Sequence, residues 1–276
     1  MMLIGLLVTF ILLSVCIVIH ELGHMVVMLR NGVKVLEFSF GFGKPLWQHT
    51  AKSGITYSWR SFPLGGFVKP VDKGPESVKA QRPWVQFKIL MAGMFVNATA
   101  SFIVLLALFF GTGKMPVVVL EFAHKVPMPG WLFMIAVAFV GSYGLWLVTP
   151  PLVCVMLVKM GIGFFKTSAG PIGIMAMGAA IVTQSPTVMD AVIGLAFYFA
   201  IINSSVAGFN LMPLVGLDGG HIFELLLEKV FGKRSATVIG WYRTVTVVML
   251  LLLIGGILFF DFLRLLPKSL ADWFGA

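Results

Sequence analysis

The first nineteen residues, Met1 to Ile19, carry no ionisable side chain except Cys16. His20-Glu21-Leu22-Gly23-His24 interrupts the run, and Met25 to Leu29 is apolar again. About 20 apolar residues suffice for a helix to cross a bilayer, so the pattern predicts a span over 1–30. Further long, predominantly apolar runs predict spans over 85–112, 188–218 and 236–262. Between 131 and 183 the apolar pattern is cut by Gly141, Gly144, Pro150, Pro151 and Gly170-Pro171-Ile172-Gly173. That region reads either as two short spans or as broken, interfacial helices. From 31 to 84 the period shortens to two. Phe38 to Gly43 and Ile55 to Trp59 alternate like short strands, with Gly54 in the turn and Pro63 to Val68 as a further extended piece. Residues 221–231 have the spacing of an amphipathic surface helix. The expected fold is an all-α polytopic membrane protein with four to six transmembrane helices. A small membrane-associated β element follows the first helix, and the whole of 1–276 forms one integral-membrane domain.

Composition narrows this further. Of the 276 residues, 59% are hydrophobic and 11% charged, which excludes an ordinary soluble domain. Continuous rather than alternating apolar runs exclude a water-filled barrel. The two cysteines, Cys16 and Cys154, sit in apolar stretches and offer no disulfide framework. A net charge of +9 would suggest nucleic acid in a soluble protein. In a membrane protein the first explanation is basic cytoplasmic loops, and no nucleic-acid partner is expected. Ten of the 20 Lys and Arg residues fall between Arg30 and Lys88, against three acids. That excess assigns the 31–84 segment to the cytoplasm and the N-terminus to the outside.

The chemistry begins in the first span. A charged group inside such a helix costs roughly 2.5–3.5 kcal/mol on insertion scales, so it persists there mainly for function. His20 and His24 are i and i+4, on one helix face, and can close on a single ion. Glu21 lies about 100° round the helix, beside that ion. A satisfied core histidine accounts for one such residue, not for two histidines and a glutamate spaced to converge. Cys16, one turn earlier, reads as a small packing residue. Catalytic zinc sites keep three protein ligands and one open position, so a third ligand is needed. Asp218, between Leu217 and Gly219-Gly220, is a carboxylate in apolar surroundings that an ion would neutralise. Taken alone, it reads first as the acidic start of a helix; beside two imidazoles short of a third ligand, the ligand reading prevails. Glu21 is placed to take a proton from water. Asn97 and Asn210 are polar residues within spans, able to hold a substrate backbone, an oxyanion or a neighbouring helix. His221 reads as the polar opening of the 221–231 helix.

These pieces together resemble the site-2 protease family of intramembrane zinc metalloproteases, in its bacterial branch. The matching stretches are His20-Glu21-Leu22-Gly23-His24, Phe40-Gly41-Phe42-Gly43, Pro63-Leu64-Gly65-Gly66-Phe67-Val68, Gly170-Pro171-Ile172-Gly173 and Asn210 through Gly220. The resemblance implies Zn2+ held by His20, His24 and Asp218, Glu21 as the base, and Asn210 holding substrate. It also implies that the 35–70 region, with Gly41, Gly43, Gly65 and Gly66, presents the substrate as an extended strand. The expected activity is hydrolysis in or near the transmembrane segment of single-span membrane proteins or signal-peptide remnants. The expected location is the cell inner membrane, with the active site opening toward the cytoplasm. The chain departs from the family's pattern in one respect. Only Gly113 to Gly130 stands after the second span, too short for the PDZ domains that bacterial members commonly carry there. The apolar 131–165 segment is the expected substitute shield. A catalytically silent scaffold or a metal-dependent transporter of the same fold is the competing expectation.

Overall fold

A computed structural model describes residues 2–112, 138–144 and 170–264. Helix α1 runs Met2–Arg30, strands β1 and β2 run Val35–Thr50 and Thr56–Pro70, and α2 runs Pro83–Thr112. A short π-helical stretch covers Val140–Gly144. Helices α3 (Pro171–Gln184), α4 (Val188–Asn210), α5 (Asp218–Phe231) and α6 (Ser235–Leu263) follow. Among the described residues, α1, α2, α4 and α6 are long and apolar enough to cross a membrane. The mainly helical fold with a small sheet after the first helix is the architecture the sequence predicts. The expected external loop and most of the interrupted 131–183 region lie outside the described residues. The chain divides into two compact units, one of Leu12–Trp146 with Phe199–Leu211 and one of Met1–Ile11, Leu147–Tyr198 and Met212–Ala276.

In the first of these units the strands are far longer than the alternating pattern suggests, because glycines let them bend rather than end. Val35–Phe40 pairs antiparallel with Gly66–Pro70, as in Phe38↔Val68 and Phe40↔Gly66. Residues 45–50 pair with Thr56–Arg60, and Phe38 also partners Tyr57. The bend in β1 falls at Gly41, whose φ of +84° suits glycine and little else. A Cβ there would stand 2.5 Å from the Phe62 carbonyl. Arg60 ties the bent segments together. It donates to Glu37 Oε1 at 2.6 Å, Ser39 Oγ at 3.0 Å and the Gly43 carbonyl at 2.7 Å. Burial pushes the Glu37 carboxyl up, but hydrogen bonds from Ser58 and Arg60 outweigh it and hold the group below the ordinary glutamate range. Beneath the sheet, Met25, Met28, Val33, Val35, Phe38, Ile55 and Ile89 form one apolar cluster. It fixes the end of α1, the sheet and the start of α2 to one another by excluding water from all three.

The second unit is organised around one buried acid. Asp261, fully buried near the end of α6, faces the first turn of α3. Its Oδ2 accepts from the N–H groups of Ile172 (2.9 Å) and Gly173 (3.1 Å), and its Oδ1 from Gly170 N–H (3.2 Å) and Arg264 (2.9 Å). A helix start leaves its first N–H groups without intrahelical acceptors and carries partial positive charge. Asp261 meets both needs. The sequence pattern places Asp261 at the very end of the last span and gives it no partner. The helix continues to Leu263 and turns the acid inward, where α3 supplies donors. Gly170 must be small here, since a Cβ on it would lie 2.7 Å from Asp261 Oδ2. Tyr198 adds a second tie to α3, donating to the Ile174 carbonyl at 2.7 Å. Further on, Glu224 of α5 receives a two-pronged bond from Arg243 of α6, at 2.6 and 2.8 Å. That guanidinium holds the Glu224 carboxyl below its usual range.

Candidate metal centre

The helix spacing of His20 and His24 does what the sequence requires of it. The Nε2 atoms of the two buried imidazoles stand 3.1 Å apart, with their rings nearly perpendicular at 77°. Two nitrogens bound at about 2.05 Å to a tetrahedral zinc stand about 3.3 Å apart, so the pair fits such an ion. Both rings are gripped from behind. His24 Nδ1 lies 2.7 Å from the Ile89 carbonyl, and His20 Nδ1 lies 3.4 Å from Asn97 Nδ2. Metal-ligating histidines characteristically have their second nitrogen engaged in this way.

Helix α2 comes close enough to do this because two glycines remove the obstacles. A Cβ on Gly23 would meet the Ala92 carbonyl at 2.7 Å. A Cβ on Gly93 would overlap His24 Nε2 and stand 2.7 Å from His20 Nε2. A side chain at 93 would press on both imidazoles, so the glycine is what lets α2 pack directly against the pair. Two convergent imidazole nitrogens at this separation are chemically suited to a divalent ion. Nothing in the sequence around Gly93 announces its contact with the imidazoles. The Ile89 carbonyl leaves no trace in sequence at all, since any residue supplies one.

Glu21 follows His20 on α1 and is half-buried. A Cβ on Gly66 would lie 3.6 Å from Glu21 Cγ and 3.8 Å from Ile17, so β2 passes directly beside the acid. Gly41, Gly43 and Gly65 all take positive φ and shape the bends of the same sheet. Asn97 is fully buried, with Oδ1 unpartnered among the described residues. Asn210, the last residue of α4, turns its amide back to the Val206 carbonyl at 3.1 Å. Cys16 is buried and receives Asn203 Nδ2 at 3.0 Å, a packing role.

In the other unit, Asp218 is half-buried and opens α5 as its first residue. The chain reaches it through a tight turn with Gly216 at φ +86°. Gly220 packs on the Leu214 carbonyl with no space for a Cβ, and its own carbonyl accepts from Tyr242 at 3.3 Å. His221, one turn into α5, sits 3.7 Å from Glu224.

The profile of peptidase family M50 matches residues 8–253. The chain belongs to peptidase family M50. This is the site-2 protease family that the sequence motifs resemble. Within M50, 66 residues are 50% identical to the regulator of sigma-E protease RseP of Escherichia coli, covering 24% of this chain and 15% of that protein. Over 105 residues the chain is 39% identical to a protein named as a candidate zinc metalloprotease in Xylella fastidiosa, covering 35% of this chain and 24% of the relative. Protease RseP of Yersinia pestis is 47% identical over 66 residues. The matches span less than a quarter of each of these curated relatives. Membership in M50 and the names of these relatives support the metalloprotease class and the zinc that the sequence leads one to expect. The apolar helices make the M50 chain a multi-pass membrane protein.

Proposed function

We propose that this M50 protein is an intramembrane zinc endopeptidase that cleaves single-span membrane proteins in or near their transmembrane segments. The observation that carries the reading is the pair of buried Nε2 atoms 3.1 Å apart, set beside Glu21 on a membrane-length helix. His20, His24 and Asp218 would hold the ion. Asp218 is the third ligand on two grounds: its place within the Asn210-to-Gly220 motif, and a carboxylate that a cation would compensate. The chemistry that zinc supplies when bound is Lewis acidity, toward water and toward the scissile carbonyl.

The protein's own groups do the rest. Glu21, one residue from His20, accepts the proton of the attacking water and returns it to the leaving amine. The sheet passing Glu21 at Gly66 offers backbone groups to an extended substrate strand. Extended binding matters because a helical peptide hides its carbonyls within its own hydrogen bonds. Asn210 supplies an amide donor for substrate backbone or oxyanion. The basic loop between Arg30 and Lys88 orients the site toward the cytoplasm of a cell with an inner membrane, the N-terminus outside.

The test is a pair of variants assayed for metal content and cleavage of single-span substrates in liposomes. Glu21→Gln should keep one zinc per chain and lose cleavage by about 100-fold or more. His24→Ala should lose both. Cleavage by the glutamine variant at the wild-type rate, or full zinc occupancy in the alanine variant, would overturn the proposal.

A further inference from the structure

The two histidines differ in what holds their Nδ1 atoms. His24 faces the Ile89 carbonyl, which can only accept, so its Nδ1 carries the proton and its Nε2 keeps a lone pair. His20 faces the side-chain amide of Asn97, which can donate from one end and accept at the other. Asn97 Nδ2 lies 3.4 Å from His20 Nδ1 and can donate to it. That bond leaves the His20 proton on Nε2, directed at His24 Nε2 3.1 Å away. In that tautomer the donors run from Asn97 to His20 to His24 to the Ile89 carbonyl. There the Nε2 of His20 cannot bind an ion, because it has no free lone pair.

The far end of the same amide decides how firmly that arrangement is held. Asn97 is completely buried, yet its Oδ1 has no hydrogen-bond partner among the described residues. No competing bond fixes which way the amide faces. A half-turn exchanges one unpaired end for the other and presents Oδ1 to His20 Nδ1.

We infer that Asn97 is the positioning residue that sets the His20 tautomer. With Oδ1 toward the imidazole, the proton sits on Nδ1 and the Nε2 lone pair is free to meet an ion. With Nδ2 toward it, the pair closes on itself by a hydrogen bond. The inference rests on the metal reading of His20 and His24, and it departs from the expectation that Asn97 acts chiefly on substrate.

The test uses the full chain in nanodiscs, with 15N-labelled histidine observed by NMR and zinc affinity measured against a competing chelator. In the zinc-free wild type, the His20 signals should show an unprotonated Nδ1 and a protonated Nε2. On zinc addition they should exchange to a protonated Nδ1. Asn97→Asp, which only accepts, should show protonated Nδ1 before zinc is added and bind zinc within about threefold of wild type. Asn97→Leu, filling similar space without polar atoms, should bind zinc 10–100-fold more weakly. Wild-type zinc affinity in Asn97→Leu, or a His20 tautomer unchanged by zinc, would overturn the inference. The NMR observation on the wild type stands even if the leucine variant does not fold. If His20→Ala and His24→Ala both retain zinc, the metal reading itself fails, a result separable from failure at Asn97 alone.

Discussion

Gly93 shows how much a site can depend on a missing atom. One methyl group there would collide with both imidazoles and force them apart. Gly93→Ala is therefore expected to abolish stoichiometric zinc binding while leaving helix content unchanged, as read by metal analysis and circular dichroism on one preparation. Full zinc occupancy in that variant would show that the ion binds elsewhere. At this scale the sequence was legible where side chains carry the chemistry. The four-residue spacing of His20 and His24, and the position of Glu21 beside them, followed from helical geometry. It was silent where backbone does the work. Ile89 acts through its carbonyl, and Gly93 through what it lacks, so neither announces a contact sixty-five or more residues away in the chain. Asn97 was visible as a polar residue in a span, but its partner was not.

At the scale of elements, the junction of α3 and α6 is the sharpest case. Gly170-Pro171-Ile172-Gly173 stands out in the sequence as a break in an apolar run, and nothing local says why it has this form. The reason lies in Asp261, which needs Gly170 small and three N–H groups facing it. Pro171 contributes a helix start that loses no donor. Removing a buried charged acceptor leaves its donors unsatisfied, at a cost of about 1–3 kcal/mol. Asp261→Ala should lower the unfolding free energy in detergent by that order, and Asp261→Asn by less, since one oxygen remains to accept. Equal stability of the alanine variant would show that the cap contributes nothing. The strands tell the opposite story. Their alternation was legible, but their length was not, because a two-residue period is lost where β1 bends at Gly41 and Gly43.

For the molecule as a whole, the membrane-length helices could be read from the chain because twenty apolar residues in a row have few other uses. The interrupted stretch from 131 to 183 could not, since its glycines and prolines permit several paths. The sheet raises a further expectation. Phe42, Leu46, Trp47, Trp59 and Phe62 are exposed, in the company of Lys44 and Lys52. Aromatic rings with flanking cations favour the lipid headgroup region. With Trp47 retained as the sole tryptophan, its fluorescence should be quenched by lipids brominated just below the headgroup. Quenching by aqueous iodide alone would put this hairpin in water.

The bond from Asp261 to Gly170 joins positions ninety-one residues apart, and ribosomes make proteins in one direction. When the opening turn of α3 emerges, the acid that will receive its amides has not been synthesised. Those amides must spend the interval in contact with water or with the insertion machinery, because lipid offers them no acceptor. Folding of this unit therefore waits on its final helix. Shortening the C-terminal end before residue 261 should show its damage first at Gly170, far upstream of the cut.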